Sequence, residues 1–272
     1  MFDLLHNFTP QPILFSWGPL ALYWYGLFVV SGILVALKVA VSLGKKHNIT
    51  SDEIFDLGFY AIIFGLIGAR IYSVFLDFPY YWQNPTQIIA VWNGGLAIHG
   101  ALIGGTLAAV IYLRRKKQNF WQWADIAAPG IALGQVFGRF GNYFNQEIFG
   151  TPTTLPWGIP IELKNRPLEY LNSTHFHPTF LYESILNLIS FAVLYYLHKK
   201  KNLKTGSIFL IYLTNYAVIR ILMEVLRTDR APEIFGLRWP IVVSGILFLV
   251  SFVLLYHRKS LTLKKPYAIL TL

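Results

Sequence analysis

Seven long apolar stretches, separated by more polar segments, follow one another along the chain. Each approaches the roughly 20 residues that an α-helix needs to cross a bilayer. They lie at about 20–43, 54–76, 95–113, 122–141, 179–197, 206–227 and 239–257. The pattern therefore predicts an all-α polytopic membrane protein with about seven transmembrane helices. No internal repeat of motifs is visible, which argues mildly against transporter folds built from two duplicated halves.

The segment 142–178 interrupts this pattern because it is much longer than the other outside segments. Five prolines are spaced through it, and proline disfavours a long helix. The string PWGIPIEL within it is typical of turns with one or two short strands. We expect a small extracytoplasmic cap between the fourth and fifth spans. The whole chain, 1–272, is expected to form a single membrane-embedded domain.

The basic residues predict the orientation of the chain in the membrane. Four clusters hold 14 of the 23 Lys and Arg residues, whereas the segments 1–19 and 77–94 contain none. Lys and Arg accumulate in cytoplasmic loops, so the N-terminus is expected outside and the C-terminus in the cytoplasm. The clusters are Lys45 and Lys46, then Arg114, Arg115, Lys116 and Lys117, then Lys199, Lys200, Lys201 and Lys204, and finally Arg258, Lys259, Lys264 and Lys265.

The composition narrows the class of protein further. Hydrophobic residues make up 55% of the chain and charged residues only 13%, with a mean hydropathy of +0.48, which disfavours a water-soluble globule. A net charge of +10 would suggest a nucleic-acid partner in a soluble protein, but the clusters beside the spans account for it. The chain has no cysteine, so any thiol in its chemistry must arrive with a substrate.

Charged residues inside the apolar stretches are candidates for function, because each costs about 2.5 to 3.5 kcal/mol at membrane depth on insertion scales. Arg70, Arg139 and Arg220 all fall in the predicted outer half of the membrane. Glu224 and Arg227 follow Arg220 at spacings of four and seven, which places the three on one helix face. A salt bridge between Arg220 and Glu224 that only holds helices together remains an alternative. Three arginines nevertheless exceed one carboxylate, and the guanidinium fork suits a bound phosphate.

Two histidines and a carboxylate complete the candidates from residue type alone. His99 lies within NGGLAIHGALIGG, where Gly100 and Gly104 are spaced for close helix packing. An imidazole at membrane depth can take a proton near neutral pH, so we favour a functional role for His99. His177 and Glu183 lie in HPTFLYE, where helix capping and packing are equally good explanations.

The segment GRFGNYFNQEIFG, residues 138–150, closely resembles the signature of the bacterial prolipoprotein diacylglyceryl transferases, G-R-x-G-N-F-x-N-x-E with a glycine three residues later. Tyr143 departs from it conservatively, where phenylalanine is commoner. The resemblance extends over nearly all the spans, in the family's order, through YWYG, Arg70, the glycine-rich segment around His99, HPTFLYE and RILMEVLRTD. The signature positions that match are Arg139, Asn142, Asn145, Glu147 and Gly150.

The resemblance implies an enzyme of the bacterial cytoplasmic (inner) membrane that moves the diacylglyceryl group of phosphatidylglycerol onto the lipobox cysteine of a prolipoprotein signal peptide. It implies catalytic roles for His99, Arg139 and Arg220, with no cofactor and no metal. Whether His99 or an arginine activates the thiol stays open. The residues expected to line the substrate site are Tyr25, Arg70, Asn142, Asn145, Glu147, Gly150, His177, Tyr182, Glu183, Glu224 and Arg227.

Two other functions are compatible with buried charges in membrane spans. An anion channel or transporter also lines its path with arginines, but it would need neither His99 nor a thiol acceptor. A metal-dependent head-group transferase would gather several aspartates at the membrane face, whereas Asp125 and Asp229 stand apart at span ends.

Overall fold

The computed structural model describes residues 2–18, 20–200, 203–229 and 231–262. Three residues of the predicted basic clusters, Lys201, Lys264 and Lys265, lie outside these ranges. So does the C-terminus that the charge pattern places in the cytoplasm.

The described chain is mostly helical, with a long helix in each of the seven apolar stretches. Five of the long helices, α2, α3, α7, α8 and α9, combine the length and the apolar composition needed to cross a membrane. The helices are α1 (Phe2–Asn7), α2 (Trp24–Gly44), α3 (Ser51–Leu76), α4 (Phe78–Gln83), α5 (Ile98–Arg115), α6 (Phe120–Phe144), α7 (Thr179–Lys200), α8 (Ser207–Glu224) and α9 (Trp239–Thr262).

Three short antiparallel hairpins complete the secondary structure. They pair β1 (Ile13–Trp17) with β2 (Leu20–Tyr23), β3 (Ile159–Pro160) with β4 (His175–Phe176), and β5 (Glu233–Ile234) with β6 (Leu237–Arg238). The first hairpin corrects the predicted start of the first span, because residues 20–23 are extended and α2 begins only at Trp24. An apolar run alone cannot separate the end of a strand from the start of a helix.

The chain divides into two compact units, 1–39 with 124–272, and 40–123. In the first unit, α6 packs through the fully buried Ala128 and Ala132 against Leu194 of α7 and Ile208 of α8. The carboxylate of Asp125 in α6 accepts backbone N–H bonds from Gly206, at 2.5 Å, and Phe209, at 2.8 Å. These bonds satisfy donors at the start of α8 that have no partner within the helix.

The chain between α6 and α7, residues 145–178, has short strands and single 3₁₀ turns, and none of its residues is in an α-helix. Its buried core consists of Phe149, Ile159, Ile161 and Phe176, with Phe180 from α7. The turns and strands predicted from the string PWGIPIEL are therefore present, but the segment expected at 142–178 begins three residues later, because α6 continues to Phe144. The segment is tied to the chain's beginning, because Gln146 donates to the carbonyl of Pro10 at 2.7 Å.

In the second unit, α3 and α5 run antiparallel at backbone contact. A methyl group on Gly100 would lie 2.2 Å from the carbonyl oxygen of Gly68, and one on Gly104 would lie 2.2 Å from that of Phe64. Only glycine permits this approach, so close packing explains both glycines. An apolar groove of about 890 Å³ follows the two helices.

Candidate active site

The first part of the site joins the end of α6 to the start of α7. Arg139 Nη2 lies 2.6 Å from Glu183 Oε2, and Arg139 Nη1 donates to Asn142 Oδ1 at 3.1 Å. The Glu183 side chain is only 3% exposed, whereas that of Arg139 is 21% exposed. One edge of the guanidinium is therefore held by protein, and the rest of its surface is accessible.

A strained turn after α6 places a second carboxylate beside Asn142. Asn142 Nδ2 donates to Glu147 Oε1 at 2.8 Å, and Asn145 Nδ2 approaches the same oxygen at 3.4 Å. On either side of Glu147, Gln146 has φ +53° and Ile148 has φ +57°, a region that a β-branched residue rarely adopts. The side-chain oxygen of Gln146 accepts from the Glu162 N–H at 2.7 Å, which helps hold the turn.

The second part of the site gathers around Glu224, whose side chain is completely buried at the end of α8. Glu224 Oε2 lies 2.9 Å from Arg220 Nη2, and Oε1 lies 3.2 Å from Arg238 Nη2. Arg227 Nε is 3.9 Å from Glu224 and makes a two-pronged pair with Asp229, at 2.7 and 2.9 Å. The salt bridge between Arg220 and Glu224 thus exists, but it is one contact within a larger network.

The two parts are linked electrostatically, because the charge of Glu183 acts on both Arg220 and Arg227. Ion pairs join four arginines to three carboxylates, and a fourth carboxylate, Glu147, lies in the first part of the site on the amide groups of Asn142 and Asn145. Arg220 keeps 16% of its side chain exposed. An anion placed against the open faces of Arg139 and Arg220 would meet guanidinium donors. The four arginines are Arg139, Arg220, Arg227 and Arg238, and the three carboxylates that pair with them are Glu183, Glu224 and Asp229.

Gly150 lies where three segments of the backbone meet. It forms an antiparallel bridge with Arg227, and its N–H donates to the carbonyl of His177 at 2.9 Å. A methyl group there would lie 2.8 Å from His177 Cβ and 3.1 Å from the carbonyl oxygen of Leu226. The signature glycine therefore allows the chain after α6 to pack between the chain after α8 and the start of α7.

His177, Tyr182 and Tyr25 lie at the margins of this network. His177 Nδ1 is 3.1 Å from the Tyr182 hydroxyl, which also accepts from Trp157 Nε1 at 2.9 Å. The Tyr25 ring packs against Gly141 of α6, where an added methyl group would lie 2.7 Å from it. The first unit thus brings together every predicted site residue except Arg70 and His99.

Arg70 and His99 belong to the second unit. Arg70 is buried near the end of α3, and its guanidinium faces six protein acceptors, five of them carbonyl oxygens in residues 87–95. Its donors are therefore already used. His99 is exposed in the first turn of α5, with its ring 5.9 Å from that of Tyr72 on α3.

Arg238 is the site residue that the sequence analysis missed. It pairs with Glu224 and donates to the carbonyl oxygens of Glu224 at 3.1 Å and Arg227 at 3.0 Å, and also to that of Asp229. One signal was present in the sequence: Arg238 precedes the last apolar stretch at its predicted outer end, where arginine is uncommon. Within the described ranges, no group of three or more His, Asp and Glu side chains is arranged as metal ligands.

Comparison with known proteins identifies the family of the chain. The sequence profile of the family described as prolipoprotein diacylglyceryl transferase matches residues 12–257. Three similar proteins are named phosphatidylglycerol--prolipoprotein diacylglyceryl transferase. That of Nostoc sp. is 44% identical over 226 residues, 81% of this chain and 80% of its own. That of Acaryochloris marina is 45% identical over 222 residues, 81% of each chain, and that of Staphylococcus aureus is 42% identical over 251 residues, 92% of this chain and 89% of its own. The chain therefore belongs to the prolipoprotein diacylglyceryl transferase family.

Proposed function

We propose that this protein transfers the diacylglyceryl group of phosphatidylglycerol to the cysteine thiol of a prolipoprotein. The thiolate sulfur attacks the glycerol carbon next to the phosphate, the carbon–oxygen bond breaks, and glycerol phosphate leaves with the bonding electron pair. The observation that carries the proposal is that Arg139 and Arg220 are each held by a buried carboxylate and remain partly exposed, since accessible guanidinium donors match a leaving group that gains negative charge.

Stabilisation of the leaving phosphate is assigned to Arg139 and Arg220. Both are held on one side by a carboxylate and remain partly exposed on the other. Glu183 and Glu224 orient these two guanidinium groups, and the buried pairing keeps each fork in one place before substrate arrives. Arg227 and Arg238 add positive charge to the same network. Arginine suits this task because it stays protonated when water is removed.

The remaining residues of the first unit are assigned to the lipid head group and the walls of the site. Asn142 and Asn145 supply neutral donors beside Arg139, and Glu147 orients both amides. Gly150 holds the turn against the chain on either side. Tyr25, His177 and Tyr182 line the margin of the site, where hydroxyl and imidazole groups can bind the glycerol or the peptide.

Activation of the thiol is assigned to His99 or to one of the arginines. A cysteine thiol has an ordinary pKa of about 8.5, so it must lose its proton to become a nucleophile near neutral pH. His99 is exposed and can accept that proton. Beside it, the groove along α3 and α5 is lined by Tyr72 and Gly100, and an acyl chain of the lipid fits its apolar surface.

The acceptor is the lipobox cysteine of a prolipoprotein signal peptide, as the family resemblance implies, and its thiol comes with the substrate because the chain itself has no cysteine. The enzyme acts in the bacterial inner membrane as a single domain with seven spans: α2, α3, α5, α6, α7, α8 and α9. The part of the segment 142–178 that follows α6, residues 145–178, forms an extracytoplasmic cap, the N-terminus lies outside and the C-terminus in the cytoplasm. The positive-inside distribution of the basic clusters supports this orientation.

The deciding experiment uses purified protein in detergent with phosphatidylglycerol and a lipobox peptide. Mass spectrometry of the peptide should show the addition of one diacylglyceryl group, and glycerol phosphate should appear in equal amount. A channel or transporter for anions would leave the peptide unchanged, because detergent removes the compartments across which it works. An unmodified peptide with a correctly folded protein would reject the transferase assignment.

A further inference from the structure

The Arg70 guanidinium is enclosed by the backbone of the chain that follows α4. It has five N–H donors, and six protein acceptors surround them. Nε donates to the carbonyl of Ile88 at 2.8 Å, Nη1 to those of Gly94 at 2.6 Å and Gly95 at 2.8 Å and to the Tyr81 hydroxyl at 3.2 Å, and Nη2 to the carbonyls of Ala90 at 2.9 Å and Gln87. No paired edge of the fork remains to bind a phosphate.

The loop around Arg70 depends on glycine at the two positions where its carbonyls turn inward. Gly94 has φ +86° and Gly95 has φ +70°, a region that glycine enters without strain. A methyl group on Gly95 would lie 2.6 Å from Arg70 Nη1 and 2.6 Å from the Tyr81 hydroxyl. The loop backbone and the guanidinium therefore fit each other closely.

The same turn of α3 also determines where α5 begins. The N–H of Ala97 donates to the carbonyl of Ala69 at 3.2 Å, and α5 starts at the next residue, Ile98. His99 follows in the first turn, with its ring 5.9 Å from Tyr72 of α3. Arg70 thus binds the carbonyls of the loop, and its neighbour Ala69 binds the N–H of Ala97, two residues before His99.

We propose that Arg70 is a positioning residue, which sets the place of His99 by fixing the loop 87–97, and that it does not bind the lipid phosphate. The inference rests on the proposed function, since His99 matters only if the transfer reaction occurs. It changes the role that the family resemblance suggests for Arg70 from a contact with substrate to support of the loop. Lysine cannot take this place, because one ammonium group with three donors cannot reach carbonyls on several sides of a planar fork.

Two variants test the proposal by different routes. Arg70→Lys keeps the charge and removes the fork, whereas Gly95→Ala keeps Arg70 and pushes the loop away from it. Gly245→Ala in α9 is the control, because a methyl group there meets no atom within 4 Å. Hydrogen–deuterium exchange reports the protection of the amides in 87–97, and steady-state transfer to a lipobox peptide reports kcat and KM.

Both variants should lose amide protection in the loop, and Gly245→Ala should not. A displacement of about 1 Å at a reacting group costs on the order of a hundredfold in rate, so kcat should fall by about that factor. The KM for phosphatidylglycerol should change by less than about twofold, because no contact with the lipid is removed.

A rise in KM for phosphatidylglycerol, with kcat and loop protection unchanged in Arg70→Lys, would show that Arg70 binds the lipid and would overturn the proposal. Lost protection without a loss of kcat would overturn it as well, because the loop would then not control turnover. If the wild-type protein transferred nothing, the proposed function would be wrong, and Arg70 would then have no role in catalysis. Exchange protection separates these failures, since it measures the contact between Arg70 and the loop without any reaction.

Discussion

Glu183 of α7 holds Arg139 of α6 through a contact of 2.6 Å, and the carboxylate is almost completely buried while the guanidinium is not. The guanidinium of Arg139 is therefore held on one side by Glu183, and its other side is accessible. The buried member of the pair cannot be reached by solvent, so the geometry of the exposed member is set before any anion approaches.

Arg139→Lys should lose about a hundredfold or more in transfer rate, although the positive charge is kept, because removal of one well-placed donor at a developing charge costs that much. An ammonium group cannot contact Glu183, Asn142 and a phosphate in the same plane. The measurement is kcat with phosphatidylglycerol and a lipobox peptide. Arg114→Lys, an exposed position on α5, is the matched control and should keep full activity. Near-normal turnover of the Arg139 variant would show that this residue contributes only its positive charge and not the geometry of its guanidinium.

Glu224→Gln should destabilise the protein by about 3–5 kcal/mol, because removal of one partner leaves buried charges uncompensated. Arg220 and Arg238 both lose their carboxylate in this variant. The thermal unfolding midpoint of the detergent-solubilised protein should fall by several degrees. Glu162→Gln removes an exposed pair with Lys164 and should leave the midpoint nearly unchanged. Equal midpoints for the two variants would contradict the structural role of Glu224.

We expect the stability of the folded protein to depend on pH through the carboxyl group of Asp229. Burial opposes ionisation of this carboxyl, but hydrogen bonds from Arg227 and its positive charge outweigh burial and hold the pKa of Asp229 below its usual range. A depressed pKa stabilises the folded state above the ordinary value of about 3.9, and this contribution is lost as pH falls through the folded-state pKa.

The corresponding variant is Asp229→Asn, which should unfold at a lower temperature than wild type at pH 7. The difference should begin to shrink as the pH falls below about 4, because the carboxyl of the unfolded wild type then takes up a proton, and it should vanish below the lower folded-state pKa. Thermal unfolding at a series of pH values measures this. A difference that stays constant down to acid pH would mean that Asp229 contributes through packing and not through its charge.

The orientation of the chain predicts the side on which reporter fusions are active. Fusions after Lys46, Lys117 and Lys204 should report the cytoplasm, because basic clusters flank these points. Fusions near Asn84 and Asn165 should report the outside. A single reversed loop would move the arginine network to the other face of the membrane and would separate it from an extracytoplasmic acceptor.

The absence of cysteine predicts direct transfer without a lipid bound covalently to the enzyme, because the commonest nucleophile for such an intermediate is missing. A peptide with serine in place of the lipobox cysteine should bind and accept nothing, since an alcohol ionises far less readily than a thiol. Glycerol phosphate should not be released with that peptide. The test uses radiolabelled phosphatidylglycerol and measures both the label released into the soluble fraction and the label retained on the denatured protein. A stoichiometric burst with lipid left on the protein would establish a covalent intermediate instead.

Apolar length predicted the positions of the helices well, since a membrane protein must satisfy its backbone inside each span and surround it with apolar side chains. The ends were less accurate: residues 20–23 continue the apolar run but pair as a strand with residues 13–17, residues 95–97 precede α5, and residues 225–227 follow α8. Strand pairing depends on a partner elsewhere in the chain, whereas a helix forms from its own neighbours. The apolar pattern therefore located each long helix but not its exact first and last residues.

The sequence by itself determined the apolar spans, the arginines within them and, through the signature at 138–150, the family. The spacing of four already offered Glu224 as a partner for Arg220, and only the tertiary structure decided the other partners of those arginines. Arg139 meets Glu183, Glu224 is shared by Arg220 and Arg238, and Arg70 meets loop carbonyls instead of another charge. Hydrogen bonds act over about 3 Å, and most of these partners lie many residues away along the chain. Their pairing depends on how helices and loops pack, which local sequence patterns do not specify.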